Sequence, residues 1–147
     1  MAVHSKVKIY VHMVWGTLNH ERILHREFRL KLFNHFVERA NELDIVICKL
    51  NIQPEHVHNA FNLPSTKTVA DVAQAFKGES SAWINDNNFL NGKFRWQRGY
   101  GAFSVSASQL DVVERYVKNQ DEHHKRQTFA EEYKQWAIQY GVWDDEY

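Results

Sequence analysis

The 147-residue chain has a single cysteine, Cys48, which excludes an intramolecular disulfide and suits a reducing compartment. Two prolines, Pro54 and Pro64, and six glycines are too few for a flexible linker, and no repeat or low-complexity stretch is present. No apolar run approaches the roughly 20 residues that span a bilayer. Residues 1–6 lack a basic stretch followed by an apolar one, so a cytoplasmic protein without membrane association is expected. Neither sign of charge is in excess: 18 basic and 18 acidic residues give a formal net charge of zero. This excludes a uniformly basic coat that holds nucleic acid by counterion release, but not a local basic groove. The acidic residues gather toward the end, at Glu131, Glu132, Asp144, Asp145 and Glu146. Aromatics, by contrast, are plentiful, with five Trp, six Tyr and nine Phe. One domain over residues 1–147, with a core large enough to need no staple, follows from this length and composition.

Periodicity sets the order of elements. Val7, Ile9, Val11, Met13 and Trp15 recur at every second position and share one face, the pattern of a half-buried strand over residues 7–15. His12 shares the other face with Lys8 and Tyr10 and reads as a satisfied surface histidine. Phe28, Leu32, Phe33, Phe36, Val37, Ala40 and Leu43 follow helical spacing over residues 26–43. Residues 45–52 and 56–63 are β-rich, and Cys48, alternating with Val46, Leu50 and Ile52, reads as core. Thr68 and Asp71 form a capping box that opens a helix with the stripe Val69, Val72, Ala73, Phe76, Trp83 and Ile84. After a polar loop over residues 85–92, residues 100–106 make a fourth strand. Ser108 with Asp111, and Thr128 with Glu131, mark the starts of helices over residues 109–125 and from 128 to about 140. The order βαββαβ followed by two helices predicts an α+β, ferredoxin-like (RRM-like) antiparallel sheet with helices on one face, plus C-terminal helices.

His56 and His58 lie two apart on a strand, so both project from one face and both reach one divalent cation. Taken alone, the pair is equally the pattern of two partly exposed strand histidines. Tyr116 and Gln120, four apart at the edge of the stripe Leu110, Val113 and Val117, stack on one side of their helix. A phenol attacks phosphorus and an amide oxygen is a ligand for a hard cation, yet an amphipathic helix produces the same spacing. His123 and His124 sit near a helix C-terminus and read as structural or solvated. Lys77, Lys93, Arg95 and Arg98, interleaved with Phe94, Trp96 and Tyr100, suit either a groove for phosphates and bases or a solvated loop beside packed aromatics.

Three segments in this order, Pro54-Glu55-His56-Val57-His58, Trp96-Gln97-Arg98-Gly99-Tyr100 and Tyr116-Val117-Lys118-Asn119-Gln120, resemble the single-tyrosine HUH transposases of small insertion sequences, which include the REP-associated tyrosine transposases. The resemblance runs from the opening strand to the helix after Gln127; Asn59, Phe61 and Asn62 depart from an aliphatic run usual in the family. It implies a DNA transposase that cuts and rejoins single-stranded, hairpin-bearing DNA through a 5′-phosphotyrosine intermediate. Tyr116 would be the nucleophile, His56, His58 and Gln120 the ligands of Mg²⁺ or Mn²⁺, and Lys77, Arg95 and Arg98 DNA contacts. A homodimer is implied as well, in which the tyrosine helix serves either its own or the partner's site. Two other readings share the fold: a replication- or transfer-type HUH nuclease, and a non-catalytic or domesticated single-stranded nucleic-acid-binding protein. The small size argues against the former, and the four candidate residues argue against the latter.

Overall fold

The computed structural model describes residues 5–142; Asp144, Asp145 and Glu146 of the acidic cluster lie outside them. Four strands, β1 (Tyr10–Gly16), β2 (Val46–Ile52), β3 (His56–Asn62) and β4 (Gly101–Val105), form one antiparallel sheet in the order β2-β3-β1-β4. This is the βαββαβ arrangement with C-terminal helices that the periodicity predicts. β1 begins three residues later than expected, leaving Val7 and Ile9 largely exposed.

Odd-numbered residues of β1 and β3 face an apolar layer. There Val11, Met13, Trp15, Val57 and Phe61 pack against α1 (Arg26–Glu42) and a composite helix. The composite helix runs through α2 (Val69–Ala73), a π turn at Gln74–Gly78 and α3 (Glu79–Asp86). Its start is the expected capping box, with Thr68 and Asp71 exchanging side-chain and backbone bonds. Trp15 is the centre of this layer, with the rings of Phe36, Phe76 and Trp96 within 5.9–6.4 Å. Burial of such large rings is the main stabilising contribution on this side.

Even-numbered residues face the opposite layer, built from α4 (Leu110–Lys118), α5 (Gln120–His123) and α6 (Phe129–Gln139). Val113 and Val117 of α4 pack on Ala60 and Val105, with half-buried Cys48 at their margin. Two expectations are corrected here. Ser108 caps no helix, because it lies inside a 3-10 turn at Ala107–Gln109 and its hydroxyl meets that of Ser106. Nor is residues 109–125 one helix: at Asn119 (φ −93°, ψ 25°) the chain leaves helical geometry and restarts as α5.

Candidate active site

β3 sets His56 and His58 side by side on the inner face of the second layer, both without solvent exposure. Each imidazole is held from behind. His56 Nδ1 lies 2.6 Å from Glu55 Oε1, and Glu55 is paired in turn with Arg22 at 2.6 Å. His58 Nδ1 lies 2.8 Å from His12 Nε2, a contact that fixes the His58 ring whichever nitrogen carries the proton. His12 is therefore not the surface histidine expected; it is fully buried under Trp136, whose ring lies 4.7 Å away. With both Nδ1 atoms engaged, the Nε2 atoms point inward, the arrangement in which outer-shell partners orient metal-binding histidines.

The helices bring the remaining groups. Gln120 is buried just past the Asn119 break; its amide N–H donates to the Tyr116 carbonyl at 3.4 Å, and its Oε1 faces His56 Nε2 at 3.2 Å. His124 also reaches Gln120 Oε1, at 3.1 Å, and its ring lies 4.5 Å from that of His56, so it belongs to the cluster rather than to solvent. α6 then covers the group. Thr128 caps its start as expected, and Phe129 stacks on His56 at 4.1 Å. Glu132 Oε1 lies 2.8 Å from His58 Nε2, while the Tyr116 hydroxyl donates to Glu132 Oε2 at 2.5 Å. Trp136 donates its indole N–H to the same hydroxyl at 3.2 Å. Two glycines make this approach possible: a Cβ on Gly16 would sit 2.9 Å from the Phe129 ring, and one on Gly101 would sit 3.0 Å from that of Tyr133.

Electrostatics follow from burial. Desolvation pulls His56 down to about 4, against the hydrogen bond to Glu55 that favours its charge. Burial, and then the proximity of His58, lower His12. Burial and the bond to Glu132 push the Tyr116 phenol up, so the phenol is held protonated. Burial also disfavours charge on Glu132, but the nearby His124 imidazole, 3.7 Å away, and the hydrogen bonds to His58 and Tyr116 prevail and keep it a carboxylate. The donor set fits a divalent cation on chemical grounds. A neutral His56 that gives Nδ1–H to Glu55 presents a lone pair on Nε2 to the lone pairs of Gln120 Oε1, and a cation between them satisfies both. Among the described residues, His56, His58 and Glu132 bring ligand atoms within 4.8 Å of one another, as do Glu55, His56 and His124.

The four residues singled out by sequence, His56, His58, Tyr116 and Gln120, thus meet within one chain. Sequence reading missed Glu132, His12 and His124. The signal for Glu132 was present: it stands at helical spacing between Phe129 and Trp136, on the face that carries buried Phe129, where an acidic residue has no packing role. Lys77, Arg95 and Arg98 lie elsewhere. Arg95 and Arg98 are exposed, on a segment anchored by buried Phe94 and Trp96. The Lys77 ammonium donates to the carbonyls of Gln97 and Gly99, so it shapes the loop that carries Arg98.

Residues 5–120 match the family described as IS200-like transposases. No curated protein is matched. Solved structures that share the fold include two transposases. One is a Deinococcus radiodurans R1 protein described as a transposase, with a TM-score of 0.65, 21% identity, and coverage of 82% of this chain and 96% of that one. The other is a REP-associated tyrosine transposase bound to a REP hairpin, with a TM-score of 0.61, 11% identity, and coverage of 84% and 74%.

Proposed function

The chain belongs to the IS200-like transposases, and on that premise we propose that it cuts and rejoins single-stranded DNA through a covalent bond between Tyr116 and a 5′ phosphate. His56, His58 and Gln120 hold a divalent cation, Mg²⁺ or Mn²⁺, the latter better matched to imidazole. The observation that supports this most is that the Tyr116 hydroxyl and His58 Nε2 address two oxygens of one carboxylate, so nucleophile and ligands stand within the span of a phosphate.

Tyr116 Oη attacks phosphorus, the P–O3′ bond breaks, and the departing oxygen takes a proton from solvent water to become a 3′ hydroxyl. The phenol proton leaves toward Glu132 Oε2, the acceptor it already faces. When bound, the cation neutralises a non-bridging phosphate oxygen and orients phosphorus for in-line displacement. Glu55 and His12 keep the two imidazoles in place, Phe129 covers the His56 ring, and the Trp136 indole N–H holds the Tyr116 hydroxyl. Because the phosphotyrosine retains the energy of the broken bond, a DNA 3′ hydroxyl reseals it without ATP, which suits recombination rather than degradation.

A hairpin is the DNA form we infer, by analogy with the REP hairpin of the similar structure. Arg95 and Arg98 would meet phosphates, with Lys77 holding their loop. The same reading puts the reaction in the cytoplasm and the protein in a homodimer, which β2 and β4, unpaired at their outer edges among the described residues, favour. Light scattering at micromolar concentration should give twice 17.4 kDa, and a mass of 17.4 kDa alone contradicts the dimer. The activity is tested by mixing protein, Mn²⁺ or Mg²⁺ and hairpin oligonucleotides. A protein–DNA adduct that survives a denaturing gel, and is lost on chelation, is expected; noncovalent binding without adduct across a hairpin panel contradicts the proposal.

A further inference from the structure

Glu132 is absent from the ligand set just proposed and lies beyond the residues that match the family, 5–120. It nonetheless meets four side chains of the site, His56, His58, His124 and Tyr116. Its relative exposure is 2%, and its ion-pair partners are His58 at 2.8 Å, His56 at 3.7 Å and His124 at 3.7 Å, all through Oε1. Oε2 is left to the Tyr116 hydroxyl. An isolated carboxylate is costly to bury, and helical spacing alone would have put an apolar residue between Phe129 and Trp136.

We propose that Glu132 is a carboxylate ligand of the metal centre, and that its second oxygen positions the Tyr116 nucleophile. The inference rests on His56 and His58 being ligands, and adds an anionic donor to them and Gln120. The three ligand atoms fall within 4.8 Å of one another, the spread a single ion needs, and Gln120 Oε1 stands beside them, 3.2 Å from His56 Nε2. Two imidazoles and a carboxylate hold a divalent ion more firmly than two imidazoles and a neutral amide, because the carboxylate offsets one of its charges. The bridge also ties metal and nucleophile together: α6 cannot supply the ligand without setting the acceptor for the Tyr116 hydroxyl.

The test is Mn²⁺ titration of the metal-stripped protein without DNA, read by calorimetry, on the wild type, His58→Ala and Glu132→Gln. Glutamine keeps the size and an acceptor for Tyr116 but loses the charge. Loss of an outer-shell partner alone weakens metal affinity by about 10–100-fold, so Glu132→Gln should weaken it by about tenfold or more. The visible absorption of bound Co²⁺ should change as well, which a purely structural residue would leave unaltered. Wild-type or tighter Mn²⁺ affinity in Glu132→Gln overturns the proposal, since it makes the carboxylate a group that the ion displaces. Wild-type affinity in His58→Ala instead overturns the histidine assignment beneath it. If Glu132→Gln does not fold, Glu132→Asp answers the same question: weaker affinity supports ligation, and unchanged affinity with an unchanged Co²⁺ spectrum contradicts it.

Discussion

Val57 and Phe61 face one side of β3 and His56 and His58 the other, and all four are fully buried. On the Val57 side the neighbours are Trp15, Phe36 and Phe76, and the contacts are non-directional ring packing. Across the sheet the neighbours include Glu55, Gln120, Glu132 and His12, which meet the two imidazoles through hydrogen bonds of fixed geometry beside the rings of Phe129 and Tyr116. Equal burial therefore serves opposite ends. The apolar side gains stability by losing water, whereas the polar side must satisfy each donor and acceptor or lose stability, and so is organised around specific partners. The apolar layer is the platform; the polar layer is the part whose energy depends on what is bound.

Metal is the sharpest way to separate the two. Mn²⁺ at about 100 times its dissociation constant should stabilise the wild type by about 2.7 kcal/mol against unfolding. Ile84→Val, on the apolar side, should lower the baseline by about 0.5–1.5 kcal/mol and keep that gain. His58→Ala should lose the gain altogether; denaturant titrations with and without Mn²⁺ measure both. Equal Mn²⁺ gains in the two variants would erase the distinction between the layers. The smallest effect on stability is expected outside both. Arg98→Ala, exposed, should change stability by no more than about 0.5 kcal/mol. It should still weaken hairpin binding and reduce the slope of log affinity against log salt by about one unit. An unchanged slope would remove Arg98 from the DNA surface.

The same contrast explains what was legible in the sequence. Alternation along β1 and β3 is local, so the sheet, and the shared face of His56 and His58, could be read directly. Thr68 and Thr128 announced their helices because capping is settled within four residues. His12 and His124 were misread because their burial depends on α6 and α5 docking on the sheet, which no local pattern encodes. The end of α4 at Asn119 was missed for a related reason: there the Tyr116 carbonyl is met by the Gln120 side chain, a bond that becomes useful once Gln120 turns toward His56. Glu132 was noted only as part of an acidic cluster, although its place between Phe129 and Trp136 distinguished it from Glu131, which is exposed.

In this mechanism Tyr116 carries the DNA, and one measurement addresses that directly. Tyr116→Phe removes the hydroxyl and keeps the ring against His58 and Trp136. It takes a donor from Glu132 and an acceptor from Trp136, which should lower stability by about 1–3 kcal/mol and leave the fold intact. Incubated with Mn²⁺ and a cleavable hairpin oligonucleotide, the wild type should form a denaturant-stable adduct that peptide mapping assigns to Tyr116. The DNA should be joined through its 5′ phosphate, with a free 3′ hydroxyl on the released fragment, and the folded phenylalanine variant should form no adduct. DNA mapped to Tyr10, Tyr100, Tyr133, Tyr140 or Tyr147, or an adduct formed by Tyr116→Phe, contradicts the mechanism.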